Sequence, residues 1–314
     1  MKAILKSVSR SFYLTIRFLP RPLREPIGLA YLLARATDTI ADTPEIPAAV
    51  RLTNLRLLGE VIAGKRDFSA IADSLSEFAA RQSNPAEREL LKNIHHCTDH
   101  LARLSPEDRA DLREVLSTIV RGQTLDVERF GDSGALVSLQ TAAELDEYTW
   151  LVAGCVGEFW TRLGLRHLTP FASSPPNEMV ERGIAYGKGL QLINVLRDRA
   201  ADRAAGRGYL PAEELAVEPE ETVFVRWLNK AAEQLNAGID YAASLTNWRV
   251  RFATALPALI GARTLALLRA ASADQRTGKI KVTRAEVRQI LAGALLSSAS
   301  PVALRAHYQR LSQQ

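Results

Sequence analysis

Residues 175–202 read PPNEMVERGIAYGKGLQLINVLRDRAAD, and this stretch decides the fold class. Pro175-Pro176-Asn177 opens a helix where a missing backbone N–H costs nothing, because the first donors of a helix have no partner inside it. No stop signal follows, so one long helix is expected to run past Asp202. The same punctuation recurs along the chain. Pro20, Pro22 and Pro26 close an N-terminal segment and open a helix expected from Ile27 to about Asp42, which Thr43-Pro44-Glu45-Ile46-Pro47 then stops. Ser105-Pro106-Glu107-Asp108 joins an N-cap serine to a first-turn proline and acids. Thr141-Ala142-Ala143-Glu144 and Thr283-Arg284-Ala285-Glu286 are capping boxes. Between these points apolar residues recur three and four apart, as at Leu112, Val115, Leu116 and Ile119. Strand alternation, repeats and Gly/Ser linkers are absent, so residues 1–314 are expected to form a single all-α domain.

Composition agrees and narrows the partners. The 314 residues are 47% hydrophobic and 24% charged, the balance of a soluble globular chain. A net charge of +5 and a pI near 9.3 are a mild basic excess, and no Lys/Arg run interleaves with aromatics. No nucleic-acid partner is therefore expected; a polyanionic small substrate or peripheral contact with an acidic membrane surface fits better. The two cysteines, Cys97 and Cys155, have no metal-ligand spacing and make no disulfide framework, which points to a cytoplasmic setting. The N-terminus lacks a signal-peptide core, and the most apolar stretch, near Ala255 to Leu268, is broken by Arg263, so no transmembrane anchor is expected.

Two segments carry the chemistry. In Arg35-Ala36-Thr37-Asp38-Thr39-Ile40-Ala41-Asp42, Asp38 and Asp42 lie four apart and project from one helix face. Like charges so placed repel, and a divalent cation offsets the repulsion; magnesium uses one or two carboxylates together with substrate phosphates. With 35 acids in 314 positions, about four such pairs arise by chance on helical faces. The second segment, Asn194-Val195-Leu196-Arg197-Asp198-Arg199-Ala200-Ala201-Asp202, repeats the spacing at Asp198 and Asp202. Each pair has an arginine close upstream, Arg35 and Arg197, and each follows a run apolar enough to be core. Charges in such runs are costly unless paired or metal-bound, so two solvated faces are a poor explanation.

Taken with the segments around them, these motifs resemble the squalene and phytoene synthases, which join two prenyl diphosphates head to head. The resemblance covers nearly the whole chain. It rests on Ser9-Arg10-Ser11-Phe12, on Tyr31 through Asp42, on Asp146-Glu147-Tyr148 with Val152-Ala153-Gly154-Cys155-Val156-Gly157, on Gly189-Leu190-Gln191 through Asp202, and on Gly206-Arg207-Gly208-Tyr209-Leu210-Pro211. It implies an isoprenoid synthase helical bundle around a central cavity, with the two aspartate-rich helices facing each other. It also implies that Asp38, Asp42, Asp198 and Asp202 bind Mg2+ and that Arg10, Arg35, Gln191, Asn194, Arg197 and Arg207 surround the substrate diphosphates. Tyr148 matches a proton acceptor or cation stabiliser, and Tyr31 a second cavity-facing tyrosine. Asp126 lies where the family often has a polar helix face. The chain departs from the pattern at Ala41 and at Ala200-Ala201, where some members carry an extra acid, and the C-terminal anchor of eukaryotic squalene synthases is not expected here.

The family's members diverge after the shared cyclopropylcarbinyl diphosphate. Squalene formation quenches the final cation with hydride from NADPH, phytoene and dehydrosqualene formation loses a proton, and hydroxysqualene formation uses water. The phrasing of Ser9 to Tyr13 and Tyr31 to Asp38 reads closer to squalene synthases, and Lys279-Ile280-Lys281 resembles a basic segment that contacts NADPH phosphates. The expected activity is thus a farnesyl-diphosphate farnesyltransferase making squalene. The alternatives are a non-reductive member and, from another class, a non-catalytic assembly factor of the same fold, which would be expected to lose these aspartates. Head-to-tail prenyltransferases and terpene cyclases place a DDxxD motif differently and lack the Tyr148 to Gly157 segment.

Overall fold

The computed structural model describes residues 2–9, 12–131 and 134–313. Arg10 and Ser11 of the N-terminal motif lie outside the described residues. The helices gather into two compact units, Met1–Ser133 and Gly134–Gln314. The first holds α1 (Lys2–Ser9), α2 (Phe12–Phe18), α3 (Arg21–Ala41), α4 (Ala48–Ile62), α5 (Ala72–Arg81), α6 (Pro85–Lys92), α7 (Ile94–Arg103) and α8 (Pro106–Phe130). The second holds α9 (Ala142–Thr149), α10 (Cys155–His167), α11 (Pro176–Ala204), α12 (Ala212–Val217), α13 (Glu220–Ser244), α14 (Trp248–Ala270), α15 (Arg284–Ser297) and α16 (Pro301–Gln313). The all-α expectation holds.

In the first unit α3 is the spine, packed against α4, α7 and α8. It starts at Arg21 and not, as the prolines suggested, at Ile27, and it runs through Pro26. Pro22 falls in the first turn, where no N–H is needed, and the buried Pro26 ring offsets the one bond its missing N–H forfeits. Asp42 ends the helix, its N–H donating to the Asp38 carbonyl at 2.8 Å. The Ser105 side chain caps α8 by accepting from the Asp108 N–H.

In the second unit α11 is the spine and lies along α13 and α10. Pro175 and Pro176 start it as expected, and both capping boxes form, on α9 and α15. Close approach of α10 to α11 depends on Gly157: a Cβ there would stand 1.8 Å from the Gly183 carbonyl oxygen. A helix neighbour therefore accounts for this glycine. Between α9 and α10 the chain makes a π-helical turn, Trp150–Gly154, a form concentrated at functional sites.

Two details add to these expectations. Among the described residues two short strands form, β1 (Val137–Ser138) and β2 (Arg207–Gly208), paired in parallel with Val137 opposite Arg207. Two residues each are too few to produce any alternation in the sequence. Further, α14 is long and apolar enough to cross a membrane by length and composition, with a mean hydropathy of 1.3 in its most apolar window, because Arg263 and the second arginine in that window do not lower the average enough. That window is 78% buried, as a core helix would be.

Candidate functional site

On α3, Tyr31, Arg35, Asp38 and Asp42 fall at intervals of four, three and four, which is one stripe of a helix. The other face, with Leu29, Leu32, Leu33, Ala36 and Ile40, is fully buried and fixes the helix in rotation. Arg35 Nη1 donates to Asp38 Oδ2 at 2.6 Å, and Arg35 Nη2 donates to Glu87 Oε1. The Tyr31 hydroxyl donates to the Val8 carbonyl at 3.4 Å. Asp38 is raised to about 7, first by enclosure in the surrounding protein and then by the Asp42 carboxylate, against the lowering pull of Arg35. Even so, 40% of its side-chain surface stays accessible, enough for a cation or phosphate to reach it. Tyr31 is raised as well, burial outweighing the opposing charge of Arg35. Asp126 lies on α8, half-buried, one turn beyond the buried Gln123.

On α11, Gln191, Asn194, Asp198 and Asp202 form the corresponding stripe. Asn194 Nδ2 donates to Gln191 Oε1 at 3.3 Å, and Gln191 Nε2 donates to the Tyr148 hydroxyl oxygen at 3.4 Å. Tyr148, on α9, stacks on Tyr209 with ring centroids 4.9 Å apart and planes at 27°. Arg197 grips Asp198 with two donors, Nε to Oδ1 at 2.9 Å and Nη2 to Oδ2. Arg207 Nη2 lies 3.5 Å from Asp202 Oδ1. The strand pairing holds that arginine in place: Val137 N–H donates to the Gly206 carbonyl at 2.9 Å and Leu139 N–H to the Gly208 carbonyl at 2.8 Å. Gly206 takes φ +80, which a side chain would resist.

Lys279 and Lys281 are exposed on the connection from α14 to α15. A hydrogen bond with Lys279 is the main cause that lowers Lys281, followed by partial desolvation and the Lys279 charge, while Asp198 pulls it up and Arg197 pushes it down. The second unit thus brings together Tyr148, Gln191, Asn194, Arg197, Asp198, Asp202 and Arg207. The first brings together Tyr31, Arg35, Asp38 and Asp42. Among the described residues no group of three or more His, Cys, Asp or Glu could hold a metal ion unaided. Each stripe instead offers two carboxylates beside an arginine, a donor set that magnesium completes with phosphate and water oxygens.

Sequence reasoning missed two members of these clusters. Glu87 sits in the first turn of α6, 52 residues from the arginine it pairs, and no spacing announces it. Tyr209 lay inside a quoted motif, yet only the fold stacks it on Tyr148.

The family model described as squalene/phytoene synthase matches residues 5–286. The chain belongs to that family. Among its curated relatives, the squalene synthase of Eremothecium gossypii is 31% identical over 217 residues, 67% of this chain and 45% of the relative. Botryococcus squalene synthase, from Botryococcus braunii, is 27% identical over 283 residues, 84% of this chain and 56% of the relative. The chain therefore spans about half the length of the curated relatives it matches. Among solved structures, ligand-bound TcSQS superposes with a TM-score of 0.76 at 23% identity, covering 99% of this chain and 89% of that one. That likeness establishes the isoprenoid synthase fold of the family.

Proposed function

We propose that this chain is a magnesium-dependent farnesyl-diphosphate farnesyltransferase, condensing two farnesyl diphosphates head to head through presqualene diphosphate and forming squalene with NADPH. One observation carries the reading: α3 and α11 each present two carboxylates four residues apart on one stripe, with an arginine already bound to the first.

Asp38, Asp42, Asp198 and Asp202 would hold the cations. The chemistry of the donors fits, since all are carboxylates and the crowding at Asp38 is relieved by a positive charge as well as by a proton. When bound, magnesium supplies Lewis-acid stabilisation of the charge that builds on the leaving pyrophosphate. Arg35, Arg197 and Arg207, each now near a motif aspartate, exchange part of that pairing for phosphate oxygens, which the guanidinium fork suits. Arg10 is assigned the same role from the resemblance alone. Gln191, steadied by Asn194, orients the Tyr148 phenol from its oxygen side, and Tyr209 fixes the ring plane. This orientation supports the reading of Tyr148 as a proton acceptor or a group that stabilises a carbocation. Tyr31, one turn before Arg35, lines the same stripe as the first acidic pair.

Lys279 and Lys281 would bind the NADPH phosphates, the cofactor supplying hydride to the final cation. Other relatives support prenyl diphosphates as the substrate class: a bifunctional lycopene cyclase/phytoene synthase of Phaeosphaeria nodorum is 25% identical over 244 residues. Cytoplasmic placement with peripheral membrane contact suits a charged substrate and an apolar product.

The test is incubation with farnesyl diphosphate and magnesium, with and without NADPH, followed by product analysis. Squalene appearing only with NADPH is expected. A product indifferent to NADPH would overturn the reductive step in favour of a phytoene- or dehydrosqualene-type reaction. No pyrophosphate release in either condition would leave a non-catalytic protein of the same fold.

A further inference from the structure

Residues 271–283 connect α14 to α15, and Arg276 is the one buried residue in that run, at 8% exposed. Its guanidinium stands over the ring of Phe224, 4.3 Å from the centroid, and Nη2 donates to both carboxylate oxygens of Glu221 at 2.6 and 2.7 Å. Phe224 is itself buried, at 1% exposed, and both partners lie in the first turns of α13. An arginine so held combines a charge-assisted bond with a cation–π contact. The other end of the connection is tied too. Glu286 closes the capping box of α15 through Thr283 and pairs with Arg263 at 2.8 Å.

Between these ties run residues 277–282, a strap whose six residues reach at most about 20 Å when extended. It carries Lys279 and Lys281, and the turn that opens it, Gln275–Thr277, packs on α11, where Arg199 of the second acidic segment lies over the same Phe224 ring at 5.3 Å. Two exposed ammonium groups two residues apart repel each other, and an anion bound by both removes that repulsion, so the strap offers one anion site. Residues 277–281 supply no buried side chain of their own to keep it there.

We infer that Arg276 is the positioning residue of this strap: clamped by Phe224 and Glu221, it holds Lys279 and Lys281 beside the second acidic motif, where they receive the phosphates of NADPH. The inference rests on the NADPH reading above. A purely structural arginine would stabilise α13 and leave cofactor affinity alone.

The experiment uses the full chain with Arg276→Ala, and with Glu221→Gln as a milder variant that keeps Phe224 and the arginine. Three quantities are measured: tryptic cleavage after Lys279 and Lys281 in the folded protein, by mass spectrometry; KM for NADPH; and NADPH-free pyrophosphate release from farnesyl diphosphate. Arg276→Ala is expected to raise both the cleavage rate and KM for NADPH by about tenfold, the scale of one charge-assisted hydrogen bond. Glu221→Gln should shift both the same way by less, and pyrophosphate release should stay within about twofold of the parent. Unchanged cleavage and unchanged KM overturn the inference, and so does a parallel fall in pyrophosphate release. If Arg276→Ala does not fold, Glu221→Gln decides by the same criteria. A parent chain that releases pyrophosphate but ignores NADPH sinks the functional reading, while the cleavage arm still decides whether Arg276 holds the strap.

Discussion

Asp38 is the residue where the chemistry and the cost of the site meet. Enclosure and the Asp42 carboxylate both disfavour its charge, and Arg35 answers only part of that. Replacing Asp38 with Asn removes one of the repelling charges, so Asp38→Asn is expected to melt within a few degrees of the parent or slightly above it. If Asp38 holds a cation as proposed, the variant's turnover should fall by at least about 10²-fold, because one ligand for that cation is gone. Asp198→Asn should behave alike in turnover. Steady-state kinetics beside a thermal melt checks both, and retained activity in either would sink its metal role. Glu87 acts one step further out. Its carboxylate takes one arm of Arg35 while Asp38 takes another, so Glu87→Gln should raise KM for farnesyl diphosphate several-fold with kcat less affected. A fall in kcat with KM unchanged would instead place Glu87 in the reaction itself. The acidic pairs were legible in the sequence because a spacing of four is a local property of a helix. Glu87 was not, since only the packing of α6 brings it to Arg35.

At the scale of elements, legibility follows how local the cause is. Both capping boxes and the proline start of α11 were readable because each is fixed within four residues. The start of α3 was misplaced by six residues, since whether Pro26 ends or merely interrupts a helix depends on what buries its ring. The π turn at Trp150–Gly154 left no sequence mark beyond its glycine; it joins α9, which carries Tyr148, to α10, which carries Gly157. Gly157→Ala would drive a methyl into the Gly183 carbonyl and part α10 from α11. A loss of roughly 1–3 kcal/mol is expected in urea unfolding, together with reduced turnover as Tyr148 shifts from Gln191. An unchanged melt would mean that the helices separate freely. Cys155 reports on the same turn. Its thiol donates to the Leu151 carbonyl at 3.1 Å, and burial is the main reason it is pushed from 9.0 up to about 12. The neutral thiol therefore contributes fully to stability below pH 9, and that contribution is lost as pH climbs from 9 towards 12. Urea melts at pH 7.5 and 10 should show a loss on the order of 1 kcal/mol that shrinks in Cys155→Ala. Below pH 9 a thiol reagent should label Cys155 only on unfolding.

At the scale of the molecule, the family match and the folded unit do not end together. The match stops at residue 286, inside α15, whereas the second unit continues through α16 to Gln313. Residues 301–314 carry few apolar positions, and what those positions meet lies far away in the chain. In the fold Leu304, Tyr308 and Leu311 are buried at 0%, 6% and 8% exposed, and α16 packs on both α13 and α14. Arg305 Nε adds a bond to Asp240 Oδ1 at 2.8 Å, and His307 Nδ1 meets the Ser297 hydroxyl at 3.2 Å. Burial at roughly 1.5–3 kcal/mol for each of three large side chains makes α16 a substantial share of a marginally stable unit. Its loss would not stay local. α13 lies along α11, and Gly238 on α13 admits the Tyr186 ring of α11 so closely that a Cβ would stand 2.1 Å from it. A chain ending at Ser300 keeps every residue of the family match and all four motif aspartates. Were the match a guide to what the fold requires, its melting temperature would be that of the full chain. The packing predicts instead a fall of roughly 10 °C or more, with turnover lost at temperatures the full chain tolerates. Calorimetry of the two chains, with farnesyl diphosphate turnover measured at 25 and 37 °C, separates the two expectations.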